Sequence, residues 1–123
     1  MQDPLNISRE ISGALNRNEA VVALESSVIA HGLPSPVNVE TALAMEDAVR
    51  QAGGVPATVG VTEGKMRVGL TREEIEKLGQ GGAAKVAVRD IPYAVQSKLY
   101  GGTTVSATAR IAWPGARPEE RRA

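Results

Sequence analysis

Residues 20–34 read Ala20-Val21-Val22-Ala23-Leu24-Glu25-Ser26-Ser27-Val28-Ile29-Ala30-His31-Gly32-Leu33-Pro34. The first five form a continuous apolar run, too short for an independent helix and followed at once by polar residues. Such a run predicts a strand buried on both faces, as in a parallel sheet. Gly32, Pro34 and Pro36 mark the end of the stretch as a loop. A strand opening into a loop is where an open α/β sheet binds ligands, at the carboxyl ends of its strands.

Working outward, residues 1–5 read as a loose tail. Residues 6–16 carry Ile7, Ile11 and Leu15 on one stripe of a short helix. Residues 38–52 are the clearest helix, with Val39, Ala42, Leu43, Val49 and Ala52 on its apolar side, Glu46 opposite, and Gly53-Gly54 as its stop. Residues 55–61 and 66–68 are strand candidates. Thr71 and Glu74 form a capping box that opens a helix ending near Leu78 and Gly79. Residues 85–88 read as a short strand. Asp90 reads as the cap of a short helix with Pro92 in its first turn. Gly101-Gly102-Thr103-Thr104 reads as a turn into a small-residue helix over 105–112. Strands alternating with helices predict an α/β layer fold with a largely parallel sheet.

Composition narrows the function classes. With no Phe, one Trp and two Tyr, the core must be built from Ala, Val, Ile and Leu. The 14 basic and 14 acidic residues balance, which argues against a nucleic-acid partner, because phosphate-backbone binding needs a concentrated basic face. No cysteine is present, so disulfides and thiolate metal sites are excluded. The polar start is unlike a secretory signal, and no run approaches the ~20 apolar residues that span a bilayer. The expected location is the cytoplasm, with no membrane partner.

Four places could carry chemistry. Glu25 ends the apolar run, where partial desolvation favours a protonated carboxyl and suits a general acid; it could equally cap a turn or pair with an arginine. His31, the single histidine, lies in a Gly/Pro loop as a substrate contact, a proton shuttle or an exposed side chain. Lys85 follows a glycine turn at a strand edge, as an anion ligand or an ordinary surface lysine. The 101–106 segment offers glycines, Thr103, Thr104 and Ser106 before a helix N-terminus, which makes either a phosphate cradle or a plain cap. No His/Asp/Glu cluster has metal-ligand spacing.

Taken together, these segments resemble the pseudouridine-5'-phosphate glycosidases, also called the indigoidine synthase A-like family. Residues 23–34 are similar to the family's A-L-E-S-T-I-I-S-H-G-M-P, with Ser27 in place of its threonine. Val55-Pro56-Ala57-Thr58-Val59, residues 66–71 and Glu73-Glu74-Ile75 follow in order. Lys85-Val86 with Arg89-Asp90-Ile91-Pro92 resembles K-V-S-R-R-D-L-P, and residues 102–108 resemble G-A-T-T-V-A-S-T.

The resemblance implies reversible cleavage of the C–C glycosidic bond of pseudouridine 5'-phosphate to uracil and ribose 5-phosphate, a lyase reaction of pseudouridine degradation. It also implies an imine-forming lysine, a manganese ion and a homotrimer. The family's proton-donating glutamate falls on Glu25, a substrate-binding lysine on Lys85, and a backbone contact at the phosphate turn on Val105, beside Thr103 and Thr104. Family members are more than twice as long, and their metal-binding aspartate and imine lysine lie beyond the matching blocks. Lys98 sits outside the nucleophile's block and is given no role. Residues 1–112 are therefore expected to be the N-terminal part of such a domain, incomplete relative to the full fold and inactive alone. Residues 113–123 are expected to be a disordered tail from outside the family, natural or the product of a shifted reading frame. The alternatives are a sugar-phosphate-binding module or half of a split enzyme.

Overall fold

The computed structural model describes residues 4–116. Among these residues six strands and five α-helices alternate, except that β3 and β4 form a hairpin, so the α/β layer fold holds. The strands are β1 (Leu5–Ile7), β2 (Val21–Leu24), β3 (Val55–Thr62), β4 (Lys65–Val68), β5 (Ala84–Val86) and β6 (Gly101–Thr103). The helices are α1 (Arg9–Asn16), α2 (Val37–Gln51), α3 (Arg72–Leu78), α4 (Ile91–Gln96) and α5 (Val105–Ala116).

The eight-residue β3 is the hub. Its first half, Val55 to Thr58, pairs in parallel with β2. Its second half pairs antiparallel with β4 and, at Gly60 and Val61, antiparallel with β6. β1 runs parallel to β4, and β5 parallel to β6. Parallel pairings thus outnumber antiparallel ones, three to two. The β3–β4 hairpin turns through Glu63 and Gly64, both at positive φ (50° and 75°), as a two-residue hairpin requires.

Side chains alternate across β3, and the alternation assigns the two helix layers. Ala57 and Val59 pack with Ile11 of α1 and Ile111 of α5, while Val61 packs with Val86 and with Ala94 of α4. On the opposite face, Thr58 donates to Glu46 of α2 at 2.6 Å, and Thr62 donates to Glu74 of α3 at 3.4 Å. The α2 and α3 layer is closed by Ile29, Ala42, Leu70, Ile75 and Leu78. Each fully buried Ile or Leu among these contributes about 1.5–3 kcal/mol.

Several sequence expectations are corrected. Leu5–Ile7 is a strand on β4, neither loose tail nor helix start, and α1 begins only after Ser8, whose hydroxyl caps Ile11 N–H. β2 is not buried on both faces. It pairs with β3 alone among the described residues, and Val22 is 41% exposed. Glu46 lies on the inner side of α2, only 8% exposed, because Thr58 gives its carboxylate a partner there. Asp90 does not cap α4 with its side chain. The carboxylate accepts the Ala87 N–H at 3.0 Å and closes the single 3-10 turn Val88–Asp90 instead. Gly101-Gly102-Thr103 is a buried strand, not a turn. The helix expected over 105–112 continues to Ala116, since Pro114 falls in its last turn and removes only one backbone donor. The Thr71–Glu74 capping box forms as expected. Of the expected tails, residues 1–3 and 117–123 lie outside the described residues.

Candidate functional site

Glu25 is the first residue past β2. At Leu24 the strand is still paired with Thr58 of β3. One residue beyond Glu25, the Ser26 N–H donates instead to the Thr103 carbonyl of β6 at 3.1 Å. The chain therefore changes partner strand across Glu25, which leaves this side chain at the mouth of the switch. From Ser27 the backbone winds into a single π-helical turn, Val28–Gly32, an uncommon element that often accompanies function.

Gly102 allows this turn to come close. A Cβ there would lie 2.6 Å from the Ser26 carbonyl oxygen and 2.8 Å from the Ala30 Cβ. Gly102 is also the register partner of Lys85 on β5. A strand position with no side chain thus separates the Glu25 turn from Lys85, and the two are brought to one cleft. Glu25, Ser27, Val28, His31, Gly32 and Lys85 line it, around a volume of about 290 Å³.

Three polar groups in the cleft differ in commitment. The Glu25 carboxylate accepts the Ser27 N–H at 3.1 Å and the Ser27 hydroxyl. Both bonds come to Oε2, leaving Oε1 for another donor. The His31 ring donates from Nε2 to the Ala83 carbonyl at 2.7 Å. The Lys85 side chain is exposed, and its ammonium makes no hydrogen bond or ion pair among the described residues. A carboxylate with one free oxygen, a tethered imidazole and an uncommitted ammonium suit a small polyhydroxy anion.

Beneath the cleft is a hydroxyl network that sequence reasoning missed. The Thr103 N–H donates to Ser26 Oγ at 2.8 Å. Thr103 Oγ1 donates to the Val59 carbonyl at 3.0 Å and lies 3.3 Å from Ser26 Oγ and 2.7 Å from Thr108 Oγ1. With its one proton on Val59, the other two hydroxyls must donate to it. Ser26 and Thr103 stand 77 residues apart, and no local pattern signals such a pair.

The structure does not gather every expected site residue. Thr103 is fully buried and its hydroxyl is spent inside the fold. Thr104 uses its hydroxyl to cap Ala107 N–H at 3.2 Å. Val105 is 72% exposed at the start of α5. None of the three lines the cleft, although Thr104 N–H bonds to the carbonyl of Val86, the neighbour of Lys85. Lys98 is also outside it. No three His, Asp or Glu side chains come together as a metal centre among the described residues. No helix among them is long and apolar enough to cross a membrane.

Residues 10–114 match the sequence model of the family described as Indigoidine synthase A like protein. A pseudouridine-5'-phosphate glycosidase of Clostridium botulinum is 50% identical over 110 residues, covering 88% of this chain and 36% of the relative. The enzyme of the same name from Escherichia coli K12 is 47% identical, over 88% of this chain and 35% of that one. The crystal structure of the prealnumycin C-glycosynthase AlnA in complex with ribulose 5-phosphate superimposes with a TM-score of 0.77 at 42% identity, over 92% of this chain and 36% of that chain. An indigoidine synthase A-like protein of Thermotoga maritima gives the same TM-score at 30% identity. The chain therefore spans about a third of the length of the relatives it matches.

Proposed function

Because this chain belongs to the indigoidine synthase A-like family, we propose that its cleft is the sugar-phosphate end of a site for reversible cleavage of the C–C glycosidic bond of pseudouridine 5'-phosphate. The products are uracil and ribose 5-phosphate, with one water consumed. When the bond between uracil and ribose breaks, its electron pair stays on the uracil carbon, and that carbon must take a proton. Glu25 supplies it in its protonated form, from Oε1, while Oε2 is held by the two bonds from Ser27. Lys85 is the point cation for the phosphate or a sugar oxygen.

One observation carries this reading: Glu25 and Lys85, from separate blocks of the sequence match, meet in one cleft where β2 gives way to β6. Two names among the relatives favour the same ligand class, a glycosidase of pseudouridine 5'-phosphate and a C-glycosynthase holding ribulose 5-phosphate. The imine-forming lysine, the manganese ion and the trimeric assembly belong to the same proposal for the complete site. None of the described residues is assigned to them, and no step is routed through the metal. The proposed compartment is the cytoplasm.

Isothermal titration calorimetry with ribose 5-phosphate tests the reading. Binding is expected, and Lys85→Ala should weaken it about tenfold or more, the loss of one charge-assisted hydrogen bond. No heat of binding from a folded, cooperatively melting chain would overturn the proposal.

A further inference from the structure

We propose that His31 is the hydroxyl-selecting ligand of this cleft, presenting Nδ1 as a hydrogen-bond acceptor to the sugar. The inference rests on reading the cleft as a sugar-phosphate site. Its basis is the 2.7 Å bond between Nε2 and the Ala83 carbonyl. A carbonyl oxygen can only accept, so Nε2 carries the proton, and in the neutral ring Nδ1 is left with a lone pair. Nδ1 has no hydrogen-bond partner among the described residues, and the ring lines the cleft with Glu25 and Lys85.

The same bond fixes where that lone pair sits. His31 lies in the π-helical turn that carries one wall, and Ala83 directly precedes β5, which carries Lys85 on the other. Gly81 and Gly82, just before Ala83, both adopt positive φ (100° and 82°) with open space around them. The next residue, Ala83, is buried in the core and the Ala84 N–H bonds to the Tyr100 carbonyl, so the wall is held without the imidazole, which takes its position from this fixed carbonyl.

The polar inventory then divides the ligand. Lys85 only donates, and a fully ionised phosphate monoester only accepts, so the phosphate belongs with Lys85. A lone pair on Nδ1 repels phosphate oxygens and attracts a group that donates. Ribose 5-phosphate supplies such donors in its hydroxyls. An imidazole acceptor opposite an ammonium donor thus separates a sugar phosphate from an anion that has no donor, such as sulfate.

His31 is the only histidine in the sequence, so its imidazole nitrogens give unambiguous 15N resonances. At about pH 8, above the ordinary histidine range, the free chain should show the Nε2–H tautomer. An Nδ1–H tautomer would overturn the inference before any ligand is added. Saturating ribose 5-phosphate should shift the Nδ1 resonance, while sulfate, which has no proton to donate, should bind and leave it in place. If ribose 5-phosphate binds by calorimetry and Nδ1 does not move, this inference fails and the proposed function stands. An equal shift with sulfate also sinks the hydroxyl assignment alone. If ribose 5-phosphate does not bind at all, both readings fall together. His31→Phe, which keeps a flat ring without its nitrogens, should weaken ribose 5-phosphate binding about tenfold and leave sulfate binding unchanged.

Discussion

The side chain of Ser26 accepts the backbone N–H of Thr103 at 2.8 Å and directs its own proton to the Thr103 hydroxyl at 3.3 Å. This pair stitches the exit of β2 to β6, and Glu25 hangs from it. Ser26→Ala leaves a buried N–H without a partner, and the expected cost is about 1–3 kcal/mol of stability by urea denaturation. A loss under ~0.3 kcal/mol would show that the turn is held by something else.

Thr103→Val removes the hydroxyl that bonds Val59, Ser26 and Thr108 while keeping the side-chain shape. It should destabilise the fold by about 1–3 kcal/mol. Combined with Ser26→Ala it should cost less than the sum of the singles, with a coupling of at least ~0.5 kcal/mol, because both break one network. Since Thr103 is outside the cleft, ribose 5-phosphate affinity per folded molecule should be unchanged. A large affinity loss without a stability loss would restore Thr103 as a ligand.

Gly102→Ala places a methyl group against backbone, 2.6 Å from the Ser26 oxygen. Backbone cannot yield as a flexible side chain can, so the turn must lift from the strand. The expected cost is about 1–3 kcal/mol or more, with weakened ribose 5-phosphate binding as Glu25 moves away from Lys85. Chemical denaturation and calorimetry on the same preparation read both effects.

Thr71→Ala removes the hydroxyl that caps Glu74 N–H at 3.1 Å. Glu74 also accepts the Thr71 N–H at 2.8 Å and pairs with Arg67 at 3.2 Å. A loss of about 0.5–2 kcal/mol is expected. The cleft is built from other elements, so binding should be untouched in the same titration.

The open side of β2 predicts self-association. Val22 is 41% exposed, beside Ala48, Val49 and Ala52 of the α2 end. An unpaired apolar strand edge invites pairing between copies. Sedimentation velocity should show oligomers that rise with concentration, and Val22→Lys should shift the population toward monomer. A clean monomer for the unaltered chain at high concentration would sink this prediction.

Legibility in the sequence followed the range of each interaction. The capping box at Thr71 and Glu74 spans only four residues and is legible directly. So are α2, whose period repeats over four turns, and the strand nature of Val21 to Leu24. Hydropathy alone puts the Glu46 carboxylate outside, whereas the Thr58 hydroxyl, twelve residues away, gives it a buried partner at Oε2 while Arg50 pairs with Oε1. Glycines at 101 and 102 look like a turn because glycine usually is one. Here they are strand residues, since the neighbouring backbone occupies the space a side chain would need.

The sequence by itself determined the alternation of strands and helices, the aliphatic core and the family, because these depend on local periodicity and on residues matched in order. It also singled out Glu25, His31 and Lys85 as separate candidates. Only the tertiary structure decided that these three share a cleft and that Thr103, Thr104 and Val105 do not line it. The reason is geometric. Pairing of Lys85 with Gly102, and of Ser26 with Thr103, joins positions distant along the chain. Whether a hydroxyl faces a ligand or the core depends on which strand arrives beside it, and no local stretch of sequence carries that information.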